Sequence, residues 1–289
     1  MYLFKGGWVV KNKLLKKLHV LVLYLLVALF VFVSLVPFYW IIVSSITAPN
    51  KLFSIPPNYF PRPTLENFQN LVTQLPFADY LRNSVLFAVG STLVTVLLSF
   101  LAAYGFARYP VPGSGLLLLG LVLSMALPEI TTVVPLFRIL RNLNLINTVR
   151  GLIVVMSSVL LPFTVWTLVS FVQRVPIEME EAAIVDGANL FQRLWLIVLP
   201  VMKPAIATML AINFINAWNN LIYPLVFSST SKAKTLSVAI TEVFQARTPY
   251  GRPWELISAL GVTMVIPAAV IVLISQKAIV SGLTRGAVK

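Results

Sequence analysis

The sequence predicts an all-α polytopic membrane protein with six transmembrane helices. Its residues are 58% hydrophobic and only 11% charged, whereas soluble domains are about half apolar and about a quarter charged. The apolar residues are gathered into six runs, each near or above the roughly 20 residues that cross a hydrocarbon core. The runs do not alternate polar and apolar residues, as the strands of a membrane β-barrel would.

The apolar runs give the order of the predicted transmembrane helices, which are 18–46, 84–106, 115–136, 151–172, 205–227 and 256–279. The first run is too long for the apolar part of a signal peptide, and no convincing cleavage site follows it. We therefore take it as an uncleaved helix. Spanning helices tolerate the prolines inside these runs because neighbouring helices satisfy the freed backbone groups, and those prolines include Pro37, Pro128, Pro162 and Pro267.

The basic residues before the first run predict a cytoplasmic N-terminus over 1–17. With six spans, the membrane domain covers 18–279 and the tail 280–289 returns to the cytoplasm. The same orientation places the segment 174–204 inside and the loop 228–254 outside. It also places outside three arginines that the positive-inside rule does not favour there, namely Arg138, Arg141 and Arg150.

Two long outer segments separate the predicted spans. The segment 47–79 is rich in proline, and Thr64 is a candidate cap for a short helix that follows it. The loop 228–254 is rich in serine, threonine and proline. Loops of this length are either functional or loose connectors, and the sequence leaves both alternatives open.

The residue composition disfavours metal, disulfide and nucleic-acid chemistry. The chain has no cysteine and one histidine, His19, so neither a disulfide nor a metal site is expected. A membrane-embedded enzyme would need a cluster of such residues in one cavity. The net charge is +13, but it is scattered over loops, where lysine and arginine determine topology and contact anionic lipid.

The segment 174–204 is polar and acidic between two apolar runs, and it predicts two short helices separated by a turn. Pro176 suits the first turn of a helix, and the glutamates that follow favour its positive end. Asp186 and Gly187 break this helix, because glycine adopts the left-handed turn. Asn189 can cap a second helix, which we expect the prolines at 200 and 204 to end. The alternative is an amphipathic helix that only lies on the lipid.

The string Glu181-Ala182-Ala183, then Gly187, then Ile197-Val198-Leu199-Pro200 resembles the EAA motif of binding-protein-dependent ABC transporter permeases. The wider string 176–188 is similar to the carbohydrate-uptake branch, which contains the MalG-like subunits for maltose and trehalose. The fifth run and the tail from Gly282 also resemble that branch. Asn189 and Trp195 depart from its usual residues, and neither departure changes the class.

The resemblance implies a coupling helix that sits in a groove of a separate ATP-binding subunit. It implies three protein partners: a second permease subunit, expected to be a different chain, a pair of ATP-binding subunits and an extracytoplasmic solute-binding protein. Membrane lipid is the further partner expected from the apolar runs and basic loops. It also implies that the loop 241–254 reaches toward the binding protein and that the tail contacts the ATP-binding subunits. The residues expected to couple to the ATPase are Glu180, Glu181, Ala182, Ala183, Asp186, Gly187, Ala188, Leu199 and Pro200.

The sequence contains no phosphate-binding loop of the Gly-x-x-x-x-Gly-Lys type. We therefore expect a transport subunit that binds no cofactor itself, with ATP and Mg²⁺ held by the partner ATPase. We expect a multi-pass protein of a prokaryotic inner membrane with both termini in the cytoplasm.

The fifth run carries amides at helical spacing, and amides and aromatic rings are groups that bind sugars. Asn213, Asn216 and Asn220 fall on one face of a helix. The alternative is that these amides join neighbouring helices, and that the acidic residue after Pro128 lies in water at the outer interface. The candidate substrate-path residues are Glu129, Asn213, Asn216, Trp218, Asn219, Asn220 and Tyr223.

The function implied by the resemblance is import of a di- or oligosaccharide, such as maltose or trehalose, by alternating access. Two alternatives stay open: a permease for another solute such as glycerol 3-phosphate, and a secondary transporter. A secondary transporter more often carries ionisable residues within its spans, and only Glu129 comes near that description.

Overall fold

The computed structural model describes residues 6–246 and 251–287, with side chains described over 16–246 and 251–276. Parts of the predicted N-terminus, outer loop and tail, at 1–5, 247–250 and 288–289, lie outside the described residues. Within the described residues the regular elements are helices, which confirms the all-α prediction. We number the main helices α1 Gly6–Ser45, α2 Glu66–Gln74, α3 Phe77–Arg108, α4 Ser114–Ser124, α5 Glu129–Asn142, α6 Val149–Val172, α7 Ile177–Val185, α8 Leu190–Asn219, α9 Ile222–Phe227, α10 Leu236–Gln245 and α11 Trp254–Ala287.

Five helices of the described chain are long and apolar enough to cross a membrane. They are α3, α6 and α8 in full, the part of α1 over Lys16–Ser45 and the part of α11 over Trp254–Gln276. The pair α4 and α5 makes a sixth span only if it is taken as one broken helix, since its two halves are bent by 106°. The prediction of one continuous helix over 115–136 is therefore wrong. Pro128 has extended backbone, with ψ of 138°, and proline disfavours helical backbone at the residue before it.

The prolines at 200 and 204 do not end a helix, contrary to expectation. α8 continues through both of them, and it contains a π-helical turn over Arg193–Val198 just before Pro200. Such a widened turn is one of the local adjustments that accommodate an interruption of the helical hydrogen-bond ladder. The fifth predicted run, 205–227, is also divided, because Asn220 is extended and its side-chain oxygen accepts a hydrogen bond from the Tyr223 N–H at the start of α9.

The outer segments contain more structure than the sequence predicts. The short helix expected after Thr64 is present as α2. Its N-cap residue is Leu65 and not Thr64, although the Thr64 hydroxyl accepts a hydrogen bond from the Glu66 N–H at 3.2 Å. Buried Asn67 donates to the carbonyls of Ser45 and Thr47 at 2.9 and 2.8 Å, which ties α2 to the end of α1. The loop 228–254 contains α10, a helix that we did not predict.

Buried side chains form two clusters along the bundle. One cluster joins α3, α6 and α8 to α2, α10 and α11, and includes Phe87, Leu152 and Trp218. The other joins the opposite ends of α3, α6 and α8, and includes Phe100, Leu168 and Val198. α3 contributes to both clusters. We refer to the two ends of the bundle as the α10 end and the α7 end.

The outer surface of the bundle is apolar, as a lipid-facing surface must be. α1 is exposed along its apolar run, with Phe30 73% and Phe32 67% accessible. An exposed apolar surface of this extent is untenable in water. The chain is a multi-pass membrane protein.

Candidate functional site: an exposed helical segment and a polar cavity

The turn between α7 and α8 follows from the local sequence. α7 begins after Pro176 and ends at Val185, two residues before a left-handed glycine, Gly187, with φ of 83°. The Gly187 N–H donates to the carbonyl of Ile184 and the Ala188 N–H donates to that of Ala183, at 3.0 and 2.8 Å. This pair of bonds is the Schellman arrangement that satisfies carbonyls at a helix end.

The start of α8 is closed by a capping box. The Asn189 side chain accepts from the Gln192 N–H, and the Gln192 side chain accepts from the Asn189 N–H, both at 2.9 Å. Such reciprocal bonds satisfy backbone donors that a helix start leaves free. The break at Gly187 and the cap at Asn189 are confirmed, and together they hold α7 as a separate short helix.

α7 presents one face to the protein and the other to the outside. Glu180 and Ala183 are 3% and 8% accessible, so both point into the bundle. Ile184 and Val185 are 51% and 87% accessible, and they share the outer face with two further exposed residues, Ile177 and Glu181. This outer face, defined as Ile177, Glu181, Ile184 and Val185, follows the i, i+4, i+7, i+8 spacing of one helix side.

The remaining predicted coupling residues are either exposed or half-buried. Ala182, Asp186 and Gly187 are exposed and Ala188 is half-buried. The other two lie inside α8 and not at a helix end: Leu199 is half-buried and Pro200 is exposed. Small alanine side chains therefore serve both sides of α7, since Ala183 packs inward and Ala182 faces out.

Glu180 makes a polar contact that the sequence did not reveal. Its carboxylate accepts from Arg108 Nε and from the Tyr104 hydroxyl, both at 2.7 Å, and each donor uses a different carboxylate oxygen. Arg108 Nη2 also donates to the Val175 carbonyl at 2.7 Å. The Glu180 side chain is therefore engaged within this chain and does not lie on the outer face. In the sequence, Arg108 is distinguished only as the first basic residue after the second predicted span, 84–106.

A polar cavity of about 570 Å³ lies where α4 and α5 meet α6, α8 and α9. Four candidate path residues line it: Glu129, Asn216, Asn220 and Tyr223. The Asn220 amide donates to the Glu129 carboxylate at 3.3 Å. The break at Pro128 creates this cavity wall, because it turns the first residues of α5 toward the end of α8.

Thr132 is a cavity residue that we did not predict. Its hydroxyl hydrogen-bonds with the Tyr223 hydroxyl at 3.1 Å. The hydroxyl pair, the two amides and the carboxylate supply both donors and acceptors, and two serines add further hydroxyls. Leucine, valine, methionine, proline and phenylalanine side chains complete the lining. Hydroxyl-rich solutes need this combination of polar partners and apolar surface.

The other three candidate path residues do not line this cavity. Asn213 is fully buried and exchanges hydrogen bonds with the Thr164 hydroxyl on α6, at 3.0 and 3.2 Å. The Trp218 indole N–H donates to the Met264 carbonyl on α11 at 2.9 Å. Asn219 is exposed. In this structure Asn213 and Trp218 join helices, as the alternative interpretation holds.

Comparison with known proteins places this architecture among transport proteins. Residues 95–285 match the family described as binding-protein-dependent transport system inner membrane component. The trehalose/maltose transport system permease protein MalG of Thermococcus litoralis is 35% identical over 96% of this chain and 99% of its own length. The sulfoquinovosyl glycerol transport system permease protein SmoH of Agrobacterium fabrum is 35% identical over 89% of each chain.

The fold also matches a solved structure. A bacterial ABC transporter involved in the import of the acidic polysaccharide alginate contains a chain that superposes with a TM-score of 0.78. The match covers 90% of this chain and 96% of that chain, at 19% identity. At this identity the likeness concerns the fold.

Proposed function

Because this chain belongs to the family of binding-protein-dependent transport system inner membrane components, we propose that it is a permease subunit of an ATP-driven importer for a sugar. Relatives named for trehalose/maltose and for sulfoquinovosyl glycerol transport support a sugar as the solute. The inner membrane is then its location. The α7 end and both termini face the cytoplasm, in agreement with the lysines before α1.

The observation that carries this proposal is the outer face of α7. It combines exposed aliphatic side chains with a carboxylate on a helix whose inner face is locked into the bundle. We propose that this face docks into an ATP-binding subunit, which holds ATP and Mg²⁺. Closure of two such subunits then moves α7, and the permease alternates between inward- and outward-facing states.

The polar cavity supports the choice of solute. Among the described residues that line it are a carboxylate, two amides and four hydroxyl-bearing residues, and none is lysine or arginine. An anionic solute such as glycerol 3-phosphate would meet Glu129 without a compensating cation, whereas a neutral sugar would find hydrogen-bond partners. We therefore propose a neutral di- or oligosaccharide, delivered by an extracytoplasmic binding protein and passed on with a second permease subunit.

The experiment is co-purification of the tagged chain from its native membrane, with the partners identified by mass spectrometry. We expect a second permease and an ATP-binding subunit. Val185→Asp, which adds a charge to the outer face of α7, is expected to lose the ATP-binding subunit. Ile55→Asp is the matched control, since Ile55 is 97% exposed and lies on a loop outside α7. Recovery of the wild-type chain alone would point to a secondary transporter.

The solute is tested by uptake. Membrane vesicles containing the complete complex are offered labelled maltose, trehalose and glycerol 3-phosphate in parallel. Uptake of a neutral sugar that requires ATP is the expected result. ATP-dependent uptake of glycerol 3-phosphate alone would contradict the assignment of the cavity to a neutral solute and leave the importer assignment intact.

A further inference from the structure

The end of α3 is hydrogen-bonded to α7 through the carboxylate of Glu180. Arg108, the final residue of α3, contacts both Glu180 and the Val175 carbonyl, and Tyr104 lies one helical turn earlier and contacts the same carboxylate. Three hydrogen bonds of 2.7 Å therefore join α3 to the chain entering and forming α7.

This ion pair is buried. The side chains of Arg108 and Glu180 are 11% and 4% accessible, against 64% and 49% for the pair of Arg82 and Asp79 on the surface of the same helix. Exposed pairs contribute little, because water and salt screen them. Removing one partner of a buried pair costs more, because it leaves a charge that neither solvent nor a partner compensates.

The opposite end of α3 is also held by directional polar bonds. Asn83 donates to the carbonyls of Ser231 and Lys234 at 2.8 and 3.0 Å, and Ser84 accepts from the Leu236 N–H at 2.8 Å. Tyr80 donates to Glu242 on α10 at 3.1 Å. α3 is one uninterrupted helix of 32 residues, about 48 Å long at 1.5 Å per residue. It is therefore hydrogen-bonded to a neighbouring segment at each of its two ends.

We propose that Arg108 and Glu180 are positioning residues whose ion pair fixes α7 to α3. A displacement of α7 then moves α3, and with it the segment 231–242 that α3 holds at the α10 end. The proposal rests on the function proposed above, in which the outer face of α7 receives the ATP-binding subunit. Apolar burial is non-directional, whereas the Arg108 guanidinium donates to two acceptors on the α7 side and so has a defined direction.

The test measures sugar transported per ATP hydrolysed in the reconstituted complex with its ATP-binding subunits and binding protein. The informative variant is the double substitution Arg108→Met with Glu180→Gln, because it removes both charges and leaves no unpaired buried charge. We expect it to assemble and to retain ATP hydrolysis. We expect the sugar-to-ATP ratio to decrease by a factor of roughly 5 to 150, which is the usual size of coupling between two sites.

A wild-type ratio in the assembled double variant would overturn the proposal, because a purely structural pair would be replaced without loss. Arg82→Gln is the matched control on the same helix and is expected to leave the ratio unchanged. If the double variant does not accumulate, Arg108→Lys decides: it keeps the charge but loses the guanidinium that donates to both Glu180 and the Val175 carbonyl, and an unchanged ratio contradicts the proposal. If the proposed importer function is itself wrong, the wild-type complex will lack an ATP-binding subunit, and this result is distinct from an unchanged ratio.

Discussion

Replacement of Gly187 by valine tests whether the turn after α7 is required for transport. The backbone there has φ of 83°, and a Cβ added at this position would meet no heavy atom within 4 Å. The penalty is therefore conformational and not steric within this chain. An L-residue in left-handed backbone costs about 1–2 kcal/mol, and valine costs more because its branched side chain strongly disfavours positive φ.

This penalty predicts a measurable loss of coupling. A cost of 1–2 kcal/mol lowers the population of the native turn by a factor of roughly 5 to 30. The hydrogen bonds from Gly187 and Ala188 to the end of α7 depend on that turn. We expect Gly187→Val to insert into the membrane normally, to retain ATP hydrolysis and to lose most sugar uptake in vesicles containing the complete complex.

The matched control is Gly187→Asn, because asparagine adopts left-handed backbone more readily than other non-glycine residues. We expect it to retain most of the uptake. Normal uptake by Gly187→Val would refute the reasoning. Equal loss in both variants would show that the presence of a side chain, and not the backbone conformation, is what the partner cannot accommodate.

Three further outcomes are expected. Asn216→Ala, which removes an amide that lines the cavity, should lower uptake about fivefold, since one hydrogen bond is worth about 1 kcal/mol; Asn219→Ala should leave uptake unchanged. Thr164→Val removes the partner of Asn213 and should lower the stability of the folded bundle by about 1–2 kcal/mol, which is measured as a lower thermal midpoint with uptake per complex unchanged. Asn147, which has φ of 57°, accepts hydrogen bonds from the backbone of residues 229 and 230. Asn147→Ala removes these bonds and should make limited proteolysis at 229–230 faster than in the wild type.

The local features of the fold were predictable because they depend on neighbouring residues. Apolar runs located the first, second, fourth and sixth spans to within several residues, whereas the fifth span begins at Leu190 and not at 205. The family assignment from the EAA string is confirmed by the match over 95–285. The turn at Gly187 and the cap at Asn189 followed from conformational freedom and side-chain reach within a few positions. These features require no knowledge of what packs against them.

The errors in the prediction lie where packing decides. Hydropathy treats 115–136 as one span, yet the break after Pro128 gives two helices bent by 106° and thereby forms the cavity. The prolines at 200 and 204 suggested a helix end, but a π-helical turn carries α8 through them. A proline permits either outcome, and the neighbouring helices determine which occurs.

The sequence by itself determined the class of this protein, its all-α architecture and the turn that ends α7 in the segment 174–204. Only the tertiary structure decided which way that segment faces. Glu180 and Glu181 are adjacent and chemically identical, yet one is buried against Arg108 and the other is exposed. The partner of Glu180 is 72 residues away along the chain, and a contact over that separation exists only once α3 and α7 are packed together.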